Sequence, residues 1–119
     1  MDILVVEDDD NLRYLLAEII TELGFKCDLA NNGKIAFELN IKNKYDLIVT
    51  DMKMPVMDGK ELILKIRSHE KGKPVPIIII SGHTEIKDLL GLGVTYFLNK
   101  PFEESEIIEF INKSLGIAC

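Results

Sequence analysis

At 119 residues the chain has room for one ordinary globular domain, and its 47% hydrophobic and 29% charged content excludes a disordered or low-complexity polymer. Its longest uninterrupted apolar stretch, residues 75–80 with a proline inside it, is far short of the ~20 residues that span a bilayer, and the Met1-Asp2-Ile3 start has no basic region of the signal-peptide kind. A net charge of −6 argues against direct binding to nucleic acid or an anionic membrane. Cys27 and Cys119 make neither a disulfide framework nor a metal spacing, so a cytoplasmic setting is expected.

Apolar runs and helical patterns alternate from end to end. Ile3-Leu4-Val5-Val6 reads as a short strand buried on both faces. Leu12, Leu15, Leu16, Ile19, Ile20 and Leu23 then fall at helical spacing, with Asp10 or Asn11 as the expected cap and Gly24 as the stop. Phe25, Cys27 and Leu29 alternate with polar neighbours in a second strand. Asn31-Asn32-Gly33 marks a turn, and Ile35, Ala36 and Leu39 suit a second helix. Leu47-Ile48-Val49-Thr50 is the third strand and delivers Asp51; residues 54–59 read as loop. Leu62, Ile63 and Ile66 belong to a third helix. After the Pro- and Gly-rich break at residues 72–76 comes a fourth strand, residues 77–80. A short fourth helix is expected near residues 85–90, punctuated by Gly91 and Gly93. A fifth strand at residues 94–98 and an amphipathic last helix at residues 103–115 complete the chain, with Ile107, Ile108, Ile111 and Leu115 inward. Five strands alternating with five helices predict an α/β domain with a parallel sheet, because parallel strands need crossover helices.

In open α/β sheets the functional crevice lies beyond the carboxyl ends of the strands. The first strand ends in Glu7-Asp8, the third in Asp51, the fourth in Ser81-Gly82 and the fifth in Lys100-Pro101. Three carboxylates would thus converge with one hydroxyl and one ammonium. Such crowding of like charge is unfavourable unless a proton or cation intervenes, and a hard divalent ion with oxygen ligands suits it, Mg²⁺ usually keeping several of its waters. With Lys100 it would neutralise an incoming phosphoryl group, the requirement for phosphoryl transfer to a carboxylate. Each feature alone has a plainer reading: strand-end acids often cap the next helix, a lysine before proline is usually solvated, and a lone serine is a turn residue. Their arrival from four strand ends of one sheet favours a shared site.

The stretch Leu4-Val5-Val6-Glu7-Asp8-Asp9, then Asp51-Met52-Lys53-Met54-Pro55-Val56-Met57-Asp58-Gly59, Ser81-Gly82-His83 and Lys100-Pro101-Phe102 resembles the response-regulator receiver domains of two-component signalling, the chemotaxis receivers among them. The resemblance spans essentially the whole chain, residues 1–119 as one domain. It implies a flavodoxin-like, doubly wound sheet with strand order 2-1-3-4-5 and five flanking helices. Asp51 would be the phosphoacceptor in a Mg²⁺-dependent reaction. Glu7, Asp8, Asp51 and the backbone carbonyl of Lys53 would hold the metal, while Ser81 and Lys100 would meet phosphoryl oxygens. Phe97 occupies the aromatic switch position, although an alternating strand position calls for core packing anyway. Lys100-Pro101 corresponds to the family's cis peptide. Side chains at Lys53 and His83 would tune how water reaches the acyl phosphate, or be ordinary exposed loop residues. The implied partners are a histidine kinase or phosphotransfer protein upstream and an effector domain or protein downstream.

Three other readings compete. A phosphohydrolase with an aspartyl-phosphate intermediate needs an acid two residues after the nucleophile, where this chain has Lys53. A flavin mononucleotide carrier needs small hydroxyl residues after the first strand, where Glu7-Asp8-Asp9 would repel phosphate. A degenerate receiver would lack some of Glu7, Asp8, Asp51, Ser81 and Lys100. The chain is therefore expected to be a switch and not an enzyme, with slow self-dephosphorylation at most. The interval between Ser81 and Gly93 is short for the family by about one helical turn of ~3.6 residues. That predicts a shortened fourth helix and a mainly monomeric domain. A stand-alone receiver and one excised from a longer regulator look alike in these residues.

Overall fold

The computed structural model describes residues 1–82 and 91–117. Five strands, β1 (Asp2–Val6), β2 (Lys26–Ala30), β3 (Leu47–Asp51), β4 (Ile77–Ser81) and β5 (Tyr96–Asn99), form one sheet in the order β2-β1-β3-β4-β5. All pairings are parallel, with Val6 beside Thr50, Asp51 beside Ile80 and Ser81 beside Asn99 at the carboxyl ends. Among the described residues four helices flank it: α1 (Asp10–Glu22), α2 (Gly33–Lys42), α3 (Gly59–His69) and α4 (Glu104–Ser114). This is the flavodoxin-like doubly wound arrangement. The helix expected near residues 85–90, with its shortened length, lies outside the described residues, as does Cys119.

Helices on both faces explain why the central strands are continuous apolar runs and not alternating ones. Leu4, Val6, Ile48, Ile77 and Ile79 face one way and pack with Ala36, Leu62, Ile63 and Ile66 from α2 and α3. Ile3, Val5, Leu47, Val49, Ile78 and Ile80 face the other way, against Leu16, Ile19, Ile20, Ile107 and Ile111 from α1 and α4. Each such buried aliphatic side chain stabilises the fold by roughly 1.5–3 kcal/mol relative to exposure. The two layers clamp the sheet and fix where its strand ends point.

Three local expectations change. The cap of α1 is Asp9, whose Oδ1 accepts from the amides of Asn11 and Leu12 at 2.9 and 3.2 Å, while Asp10 is instead committed to Arg13. Leu15 and Ile35 keep their helical spacing but lie on the solvent side, 45% and 40% exposed. The fifth strand starts at Tyr96 because Gly93 turns the chain at φ +76° and Thr95 first closes onto Ile77, its amide donating to the Ile77 carbonyl at 2.8 Å.

Gly59 begins α3 directly beneath the end of β3. Its amide donates to the Met52 carbonyl at 2.7 Å, and a β-carbon there would lie 2.5 Å from the Asp51 carbonyl oxygen. Backbone cannot yield as a flexible side chain can. Gly59→Ala should destabilise the protein by about 1–3 kcal/mol, the usual range for overpacking. Urea unfolding measures it, and an unchanged midpoint would show that the α3–β3 junction is looser than this.

Candidate functional site

The end of β3 carries the central group. Asp51 is 6% exposed, its Oδ1 accepts from the Met52 amide at 2.8 Å, and its Oδ2 accepts from Lys100 Nζ at 3.2 Å. The Met52 amide in turn belongs to the sheet's final rung, its hydrogen also reaching the Ile80 carbonyl at 3.1 Å. Thr50 Oγ1 donates to the Asp51 carbonyl at 2.9 Å. The aspartate is thus held by its own strand, by the next one and by the ammonium that follows β5.

Glu7 and Asp8 leave β1 at the same edge. Glu7 is 1% exposed and Asp8 is exposed, and one oxygen from each of Glu7, Asp8 and Asp51 lies within 4.8 Å of the other two. Glu7 Oε2 accepts from the Asp9 amide at 3.3 Å. Among the described residues Glu7 Oε1 is buried with no hydrogen bond, 3.5 Å from Lys100 Nζ. Burial first, then the nearby carboxylates of Asp51 and Asp8, push the Glu7 carboxyl up to about 8, with Lys100 opposing them. Burial pulls the Lys100 ammonium down, but the charges of Asp51 and Glu7 outweigh it and hold its pKa above the ordinary lysine value. Three oxygen-only donors and an orphaned buried carboxylate oxygen fit a hard divalent cation, which would displace the proton from Glu7.

Ser81 ends β4 beside this group, 1% exposed, and among the described residues its Oγ has no hydrogen-bond partner, in a position where an unpaired hydroxyl is unfavourable. The Lys100 amide donates to the Ser81 carbonyl at 3.0 Å, so β4 and β5 are locked at the crevice, and the Lys100–Pro101 peptide is cis. Phe97 is half-buried, packed against the cluster that includes Ile79, its partner in register. Lys53 is exposed. His83 lies outside the described residues. The turn after β3 is tight: Val56 has φ +70°, the Met57 amide donates back to the Pro55 carbonyl at 2.8 Å, and Met57 enters the core. A β-branched residue held there costs about 1–2 kcal/mol.

Glu7, Asp8, Asp51 and Lys100 lie together at one end of the sheet, and Ser81 is tied to Lys100 there through its backbone carbonyl. What spacing alone did not reveal is Arg13, buried behind the Glu7 carbonyl, and Gly59, kept small under Asp51. An arginine six residues after a strand-end glutamate looks like a solvated helix residue until the turn that brings it back is known.

The family model described as response regulator receiver domain matches residues 3–112. The chain is 35% identical over 113 residues to the probable transcriptional regulator ycf29 of Porphyra purpurea, covering 92% of this chain and 54% of that regulator. It spans about half the length of the first curated relatives it matches. Among solved structures it resembles the receiver domain of the sensor histidine kinase PA1611 from Pseudomonas aeruginosa PAO1, with a magnesium ion coordinated in its active site cleft. That match has a TM-score of 0.89 at 29% identity and covers 97% of each chain. It also resembles the response regulator TrrA from Thermotoga maritima in complex with Mg²⁺–BeF, with a TM-score of 0.86 at 34% identity over 96% of this chain and 98% of that one.

Glu7 gives a pH prediction for the metal-free protein. The folded state holds its proton to about pH 8, whereas an ordinary glutamate releases it near 4.5. Between those values the folded state binds more protons at Glu7 than the unfolded one, so the contribution of Glu7 to stability falls as pH rises through that window, by up to about 1.4 kcal/mol per pH unit. Glu7→Gln should flatten the slope and be the more stable protein at the alkaline end. Urea midpoints with the same pH slope in the wild type and in Glu7→Gln would contradict the assignment.

Proposed function

The chain belongs to the response regulator receiver domain family, and from that premise we propose that Asp51 is its phosphoacceptor and that Mg²⁺ is the cation held by Glu7, Asp8, Asp51 and the Lys53 backbone carbonyl. The observation that carries this reading is one buried carboxylate, Asp51, bound by Lys100 on one side and crowded by Glu7 and Asp8 on the other. When bound, Mg²⁺ supplies the positive charge that lets phosphoryl oxygens enter among carboxylates. Residues 1–119 act as one receiver domain in this reading.

One oxygen of the Asp51 carboxylate attacks phosphorus in line with the leaving group. A C–O–P bond forms while the bond from phosphorus to the donor nitrogen or oxygen breaks, its electron pair leaving with the donor. There is little covalent work for the protein, so catalysis is positioning and charge stabilisation. Lys100, held charged, transfers its contact from Asp51 to a phosphoryl oxygen. Ser81 Oγ donates to another, and the hydroxyl's missing partner is then supplied. As Ser81 moves, the Phe97 ring, half-buried two register positions away, turns into the space it leaves. Coupling of this kind is typically ~1–3 kcal/mol, a bias between two populations and not a lock.

The donor is a histidine kinase or phosphotransfer protein, or a small acyl phosphate. The output is an effector domain or protein, in line with the transcriptional regulators among its relatives. Lys53 stands where a phosphohydrolase would need its acid, so the acyl phosphate persists and is lost slowly. Cytoplasmic phosphotransfer suits this role, and among the described residues no helix is long and apolar enough to cross a membrane.

Asp51→Asn should abolish labelling by acetyl phosphate and binding of beryllofluoride, with the wild type requiring Mg²⁺ for both. Full labelling of the variant sinks the assignment. For the switch, beryllofluoride should move the NMR signals of Phe97 in the wild type, and Ser81→Ala should reduce that displacement at equal occupancy. Phe97 signals indifferent to beryllofluoride would leave the ring as core packing alone.

A further inference from the structure

We propose that Arg13 is a positioning residue for the cation site, setting the orientation of the peptide that joins Glu7 to Asp8. The inference rests on the Mg²⁺ reading above. Arg13 lies early in α1 and is 9% exposed. Its Nη1 donates to the Glu7 carbonyl at 3.0 Å in a buried hydrogen bond, and its Nη2 pairs with Asp10 Oδ1. The guanidinium also stands 5.1 Å from the centre of the Tyr14 ring, which holds it in place.

The Glu7 carbonyl is half of the peptide group between the two acids. On the other side of the Glu7 α-carbon, its amide donates to the Ala30 carbonyl at 3.0 Å, the rung beyond the last β1–β2 pair. Both peptide planes flanking Glu7 are thereby tied, one by the neighbouring strand and one by Arg13. This leaves little freedom in where the Glu7 side chain points and where Asp8 begins. Without Arg13 the buried carbonyl must stay unpaired or rotate towards water, and rotation carries Asp8 with it.

Two effects of opposite sign meet here. A cation beside an acidic cluster repels a second cation, so on charge alone losing Arg13 would tighten Mg²⁺ binding. As a positioning group its loss weakens binding, and groups that orient metal ligands usually influence affinity 10–100-fold. The buried carbonyl contact decides for positioning. Lysine does not replace it, because one ammonium lacks the planar fork that reaches the Glu7 carbonyl and Asp10 together.

The test is calorimetric Mg²⁺ titration of the wild type, Arg13→Met and Arg13→Lys, with urea unfolding of each. The expected result is Mg²⁺ affinity about tenfold weaker or worse in Arg13→Met, with Arg13→Lys also weakened although its charge is kept. If Arg13→Met does not fold, Arg13→Lys decides alone. Equal or tighter binding in the folded variants overturns the proposal. So does a lower urea midpoint with unchanged Mg²⁺ affinity, which would assign Arg13 a purely structural role. A wild type that binds no Mg²⁺ sinks the cation reading and this inference with it. A wild type that binds, with variants that match it, sinks this inference only.

Discussion

The convergence of Glu7, Asp8 and Asp51 on Lys100 is the constraint around which the rest of this protein is organised. Three carboxylates from two strand ends, with one ammonium from a third, leave a net negative cluster in which Glu7 and Asp51 are buried and Asp8 is exposed. Left alone, that arrangement is relieved by keeping a proton on Glu7. In the proposed reading a divalent cation would relieve it better and would make room for a phosphoryl group. The protein therefore stores an unfavourable electrostatic arrangement at the crevice and offsets it with the two apolar layers that clamp the sheet.

The doubly wound sheet makes this placement possible. Crossover connections send every strand the same way, so residues far apart in the chain arrive at one edge. The register brings Asp51 level with Ile80 and Ser81 level with Asn99, just before Lys100. A change at Asp51 can reach Ser81 and then β5 through backbone that is hydrogen-bonded rung by rung. In the proposed reading the Ser81 hydroxyl, unpaired among the described residues, and the half-buried Phe97 would be the two parts of that path with unfilled capacity, one for a hydrogen bond and one for burial.

Much of this was legible in the amino-acid sequence because the strands are short and continuous. Runs such as Ile77 to Ile80 leave no doubt about burial on both faces, and each is followed at once by a polar residue that has to lie at the strand end. The helices were less exact. Apolar spacing cannot say which edge of a helix is wet, so Leu15 and Ile35 were grouped with residues that pack, and the cap fell one or two residues from Asp9. Contacts made through backbone atoms were invisible. Nothing in residue type announces that Arg13 reaches the Glu7 carbonyl or that Gly59 has no room for a β-carbon. The burial of Glu7, beside an exposed Asp8, also depends on how the chain turns from β1 into α1.

The central claim is chemical: one carboxylate among three becomes an acyl phosphate, and does so only with Mg²⁺. Borohydride reduction converts an aspartyl phosphate to homoserine, which peptide mass spectrometry locates to a residue. After incubation with acetyl phosphate, the account predicts homoserine at position 51 when Mg²⁺ is present and none when it is chelated. Reduction at position 7 or 8, or equal reduction at position 51 without Mg²⁺, would contradict it.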